Sequence, residues 1–151
     1  MSLPGSSGGR ISSILFLCGM NSIRSPMAEA IAKAALPPTV YIASAGVRAG
    51  ERDPFVDSVL SEHGLDLGNR RPQLYDDLED DYFDLIVTMA PEAHHMALDA
   101  MGTQSVEIEF WPMPDPSVAT GTREQILDAY RDLYRRIVKR FGERFPAFRE
   151  P

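Results

Sequence analysis

The stretch from Ile11 to Leu36 constrains this chain more than any other part of it. ISSILFL is a short, nearly continuous apolar run, the pattern of a strand covered on both faces inside a parallel sheet. The segment CGMNSIR interrupts it, and Ser25, Pro26 and the strong helix formers from Met27 to Leu36 follow. Ser25 is expected to cap that helix, with Pro26 in its first turn. Pro37 and Pro38 stop the helix, and Val40 to Ala45 (VYIASA) resumes with β-forming residues, so the opening unit reads strand, helix, strand.

The same alternation continues. Asp53 and Pro54 repeat the cap-then-proline signature before Phe55 to His63, and Gly64 stands where a helix terminator belongs. Asp66 to Asp81 reads as surface loop, with at most a turn near Leu74 to Leu78. Phe83 to Met89 (FDLIVTM) is a third strand, Pro91 to Met101 a helix, and Val106 to Trp111 (VEIEFW) a fourth strand alternating like an edge strand. After the irregular WPMPDP, apolar residues at three- and four-residue steps from Thr122 to Phe145 give one long amphipathic helix. Strands alternating with helices imply an α/β fold with a single doubly wound parallel sheet. Residues 1–10 (MSLPGSSGGR) read as a flexible tail, and 11–151 as a single domain.

Composition narrows the function classes. A formal net charge of −7 with no useful Lys/Arg run argues against nucleic acid and anionic membranes as partners. No stretch approaches the ~18 apolar residues of a membrane span, and the first ten residues lack the apolar core of a signal peptide. The single cysteine rules out an internal disulfide and the ligand sets of zinc fingers and iron–sulfur clusters. These features point to a cytoplasmic enzyme; oligomeric state leaves no readable trace.

Cys18 falls at the carboxyl end of the first strand, where an open parallel sheet places its ligands. Between strand and helix, the backbone N–H groups of Gly19, Met20, Asn21, Ser22, Ile23, Arg24 and Ser25 can curl around an anion, with the helix dipole adding positive potential. Arg24, six residues after Cys18, brings a planar fork of donors to the rim of that loop. Helix terminus and guanidinium favour the thiolate, to which the Ser25 hydroxyl can donate. Attack on a phosphate monoester then gives a cysteinyl-phosphate intermediate. The leaving group needs a proton donor, and Asp115 in WPMPDP is the best-placed candidate. Neither a cofactor nor a metal is called for, because helix terminus and Arg24 already supply positive charge.

CGMNSIRSPMAE after an apolar strand, with Asp115-Pro116 before the last helix, resembles the low-molecular-weight protein tyrosine phosphatases from Ile11 to about Phe145. The resemblance implies a three-layer fold whose four-stranded parallel sheet has strand order 2-1-3-4. It also implies Cys18 as nucleophile, Arg24 as phosphate clamp, Asn21 as loop stabiliser, Ser25 as thiolate partner and Asp115 as general acid. The substrate would be a phosphorylated protein, phosphotyrosine above all, or a small aryl phosphate.

The loop departs from the family pattern at Met20, where glycine is usual, and at Ile23, where a second cysteine is usual. Without that neighbouring thiol, an oxidised Cys18 must be reduced from outside. Gly19 and Asn21 remain as two residues tolerant of left-handed geometry. Positions that carry aromatic pocket walls in the family hold Val47, Arg48, Ala49, Ser117 and Val118 here, leaving Trp111 or Tyr75 as aromatic contacts if the fold brings them close. Arsenate reduction with an external thiol is the alternative, since related reductases share this loop; a non-catalytic phosphate-binding module is a third reading. His94 and His95 lie about 100° apart on their helix and read, like His63, as solvated. The acidic run Asp76 to Asp81 reads as a solvated face, and Arg48, Arg52, Arg70 and Arg71 as surface residues that can form a basic rim at most.

Overall fold

The computed structural model describes residues 11–48, 50–80, 82–102 and 104–151; the expected tail at 1–10, and Ala49 and Asp81, lie outside them. Four strands, β1 (Ser13–Cys18), β2 (Tyr41–Gly46), β3 (Leu85–Thr88) and β4 (Glu107–Phe110), form one parallel sheet in the order β2-β1-β3-β4. This is the α/β architecture and strand order that the resemblance implied. The helices are α1 (Arg24–Ala35), α2 (Pro54–Glu62), α3 (Pro91–Met101) and α4 (Arg123–Arg144).

The period of two along β1 sorts the core. Ile14, Phe16 and Cys18 face the layer holding α1, α2 and α4, while Leu15 and Leu17 face α3 through Ala93, Ala97 and Met101. Both faces are covered, so the strand tolerates no polar alternation. On the larger side, Phe141 of α4 meets Phe16 edge-on at 5.6 Å and Trp111 at 5.3 Å, and Phe148 stacks on it at 5.3 Å. Trp111 is 1% exposed, so it is a core residue and supplies no pocket wall. Tyr75 packs under the sheet's other face and supplies none either.

Helix ends follow local chemistry. Asp53 accepts from Phe55 N–H at the start of α2, Pro91 opens α3, and Thr122 with Gln125 forms a reciprocal capping box on α4. Neither α3 nor α1, which starts at Arg24, has a side-chain cap. Ser25 is not the cap, because its hydroxyl is turned inward to Cys18 and Asn21. At the sheet edge, Glu107 and Glu109 of β4 pair with Arg144 of α4, and a guanidinium covers a strand too polar for an apolar layer. Phe141→Ala should remove the shared partner of four aromatic side chains and cost about 4 kcal/mol, read as a lowered midpoint in urea unfolding.

Candidate active site

The first strand ends on Cys18, 2% exposed, at the carboxyl edge of the sheet. Strands β1 and β2 stay together past their last paired residues, with Val47 N–H donating to Cys18 O at 3.2 Å and Arg48 N–H to Gly19 O at 2.8 Å. The chain must then reverse from strand into helix within Gly19 to Ile23. Asn21 makes that turn with φ of 55°, the left-handed region that asparagine tolerates better than most residues. Gly19, the other expected left-handed residue, keeps negative φ, and what it supplies is room: a Cβ there would push the end of the Glu92 side chain aside. Gly46 is needed for the same reason, since its Cβ would lie 2.7 Å from Asn21 N and 2.8 Å from Met20 C.

Asn21 is fully buried and uses its whole amide. Nδ2 donates to Ser25 Oγ and Ser44 Oγ, both at 2.9 Å, and Oδ1 accepts from Arg70 Nη2 at 2.6 Å and Gln73 N–H at 3.0 Å. Ser25 Oγ lies 2.9 Å from Cys18 Sγ. Asn21 fills an acceptor position on that hydroxyl, which leaves the hydroxyl proton to point at sulfur and stabilise a thiolate. Beneath, Ser44 Oγ accepts from Asn21 and Arg70 and donates to Glu29 Oε1, and Glu29, 5% exposed, also pairs with Lys33 and with Arg70 Nε at 3.2 Å.

Above the loop is a pocket of about 170 Å³. Cys18, Gly19, Met20, Ser22, Ile23 and Arg24 form it from the loop side. Asp115 and Ser117 line it from the segment after β4, and Arg48 and Glu92 from the ends of β2 and α3. Arg24 Nη1 donates to Met113 O at 3.3 Å, tying the first residue of α1 to the segment that carries Asp115. Asp115 Oδ1 accepts from Ser117 N–H at 3.0 Å and Ser117 Oγ at 2.7 Å, which orients the carboxyl group. Glu92 holds Arg48 through both oxygens, and that guanidinium keeps its carboxyl below the usual range, hence ionised. A cysteine sulfur, a guanidinium and a carboxyl group converging on one small cavity can bind a tetrahedral oxyanion, attack its centre and move a proton.

Of the nine site residues expected from the sequence, Cys18, Gly19, Met20, Ser22, Ile23, Arg24 and Asp115 line the pocket, and Asn21 and Ser25 lie beneath the loop. Four others escaped the sequence reading. Arg70 and Gln73 belong to a segment read as surface loop, yet both are partly buried against Asn21 and Ser44. Ser44 looked like one more strand residue. Glu29 did carry a signal, as a lone carboxylate among the buried Ala28, Ala30, Ile31 and Ala32. His94 is not simply solvated, since Nδ1 meets Thr88 Oγ1 at 2.8 Å and its ring stacks on Phe110; His63 is exposed but lies flat on Tyr134. Arg52 pairs with Asp57, so it adds nothing to a basic rim. Arg70→Ala should remove one of the two donors to the Asn21 oxygen and one of the partners of the buried Glu29 carboxyl group, costing on the order of 2 kcal/mol in urea unfolding, with Arg70→Lys restoring part of it.

Comparison with known proteins agrees with this geometry. The model of the family described as low molecular weight phosphotyrosine protein phosphatase matches residues 13–144, the interval from the start of β1 to the end of α4. An arsenate reductase of Bacillus subtilis (strain 168) is 32% identical over 137 residues, which is 91% of this chain and 94% of that protein. Among solved structures, the Erwinia amylovora tyrosine phosphatase amsI has a TM-score of 0.74 at 28% identity, covering 93% of this chain and 95% of its own. The arsenate reductase of Archaeoglobus fulgidus DSM 4304 has a TM-score of 0.60 at 30% identity, over 85% of this chain and 98% of its own. Since the matched interval contains the whole sheet and every helix packed on it, this chain belongs to the low molecular weight phosphotyrosine protein phosphatase family.

Proposed function

We propose that the protein is a cysteine-dependent phosphatase that hydrolyses phosphate monoesters, phosphotyrosine in proteins foremost, through a cysteinyl-phosphate intermediate. The observation that carries this reading is the pairing, in one pocket, of Cys18 at its floor and Asp115 at its side. Phosphate binding alone does not require a carboxyl group, which repels the dianion; a leaving-group proton does require one.

In this mechanism the phosphate sits between the loop's N–H groups and the Arg24 guanidinium, with Ser25 donating to the Cys18 thiolate. Sulfur attacks phosphorus, the S–P bond forms as the ester P–O bond breaks, and Asp115 protonates the departing oxygen. The resulting Asp115 carboxylate then takes a proton from water, the hydroxide attacks phosphorus, and the S–P bond breaks to release inorganic phosphate and the thiolate. The cycle needs no electrons and no second thiol.

A second reading rests on the arsenate reductases among the relatives. Arsenate reduction consumes two electrons. Cys18 is the one cysteine in the sequence, so an external thiol must attack the S–As adduct, leave with Cys18 as a mixed disulfide, and let arsenite depart. A further external thiol must then free Cys18. Hydrolysis asks nothing of the chain beyond the groups already in the pocket, and it ranks first. The lone thiol fits a reducing, cytoplasmic setting, and among the described residues no helix is long and apolar enough to cross a membrane.

Turnover of para-nitrophenyl phosphate in the absence of added metal tests the proposal. Cys18→Ser should abolish it, and Asp115→Ala should lower kcat by about 10²- to 10³-fold. A well-folded wild type that leaves the ester intact but consumes glutathione with arsenate would replace the phosphatase reading with the reductase one.

A further inference from the structure

Arg48 is fixed at both ends. Its backbone donates to Gly19 O at 2.8 Å, and its guanidinium is gripped by Glu92, Nη2 reaching Oε1 at 2.9 Å while Nη1 reaches Oε2. Glu92 stands in the first turn of α3 and lies directly over Gly19. Arg48 Nη2 is 3.6 Å from where a Cβ on Gly19 would be, so the guanidinium is beside the residue that follows the nucleophile. Its side chain is nevertheless 58% exposed and lines the pocket.

The electrostatics of this pair are as informative as its position. Both terminal nitrogens are committed to the carboxylate, so the pair is neutral as a unit and adds little long-range attraction for an anion. What remains available is the flat face of a guanidinium held in one plane. Such a face stacks on aromatic rings, which a compact ammonium cannot do. No aromatic side chain lines the pocket among the described residues, so an aromatic leaving group would find its flat surface here or nowhere.

We propose that Arg48, held flat by Glu92, is the wall that recognises an aryl leaving group and gives this pocket its preference for aryl over alkyl phosphates. This deepens the phosphatase reading and rests on it for its biological sense, although the recognition itself is a binding property. The ring of the ester lies against the guanidinium face while its phosphate occupies the loop. Glu92 acts through Arg48 as a positioning residue.

Calorimetric titration of the full chain with benzylphosphonate and with cyclohexylmethylphosphonate tests this, because the two differ in ring aromaticity and not in charge or size class. Wild type should bind the benzyl compound tighter by about fivefold. Arg48→Ala and Arg48→Lys should each bring that ratio to about one, the lysine variant showing that charge without a planar face does not suffice. Glu92→Gln, which weakens the grip, should give an intermediate ratio. Equal binding of the two phosphonates by wild type, a ratio unchanged in Arg48→Lys, or failure to bind either compound would overturn the proposal. Para-nitrophenyl phosphate turnover separates the two readings. Turnover with an unchanged ratio removes the wall and leaves the phosphatase, whereas an Arg48-dependent ratio without turnover keeps the wall and removes the phosphatase.

Discussion

The left-handed turn at Asn21 is the constraint on which the site depends. Non-glycine residues adopt that backbone at a cost, and they hold it only where their surroundings leave no alternative. Here the side-chain amide is bonded on every available side, by Ser25, Ser44, Arg70 and the Gln73 backbone. The same four bonds reach α1, β2 and the segment between α2 and β3, so three separate parts of the chain converge on one residue. With the turn fixed, the residues on either side of it line the pocket and Ser25 is placed against sulfur. Loosening any partner would cost loop geometry first and stability second.

A second consequence is that the loop's rigidity comes from the protein's interior and not from the anion it binds. Glu29, buried with Ser44 and Arg70, is a carboxyl group in a low-dielectric setting, tolerated because each neighbour donates to it. Gly46 belongs to the same design: the end of β2 passes so close to Asn21 and Met20 that no side chain fits between them. Strand, loop and the buried polar cluster are therefore one packed object, and the pocket is shaped before substrate arrives.

This explains which parts of the molecule were legible in the sequence. Strand β1 could be read because both its faces are buried, α2 because an aspartate cap and a proline mark its start, and α3 because a proline does; α3 begins at Pro91 and ends at Met101 as the pattern alone dictates. That Cys18, Arg24 and Asp115 share one pocket was legible because a strand end, a tight loop into a helix and a proline-flanked aspartate each leave a local signature. Arg70, Gln73 and Glu29 were not, since each acts across a contact that no local periodicity encodes, and a guanidinium in a polar loop looks the same whether it faces water or an asparagine. The capping role assigned to Ser25 failed for a related reason. Serine before proline is a cap by local rules, but a buried sulfur competed for the hydroxyl. Trp111 as a pocket wall failed because this side chain, the first after β4, turns into the aromatic cluster around Phe141.

The proposed nucleophile, Cys18, and the proposed acid, Asp115, are far apart in the sequence, yet the proposed proton transfer tolerates little misplacement between them. Arg24 provides the direct link. One of its N–H groups is committed to Met113 O, two residues before Asp115, and a guanidinium has further donors left for an oxyanion. The same side chain can thus hold the phosphate and fix the height of the acid-bearing segment, whose prolines on both sides of Asp115 limit its own freedom. A lysine at position 24 would keep the charge but lose the planar fork that serves both tasks. That double duty is a physical reason for arginine at position 24 of the loop.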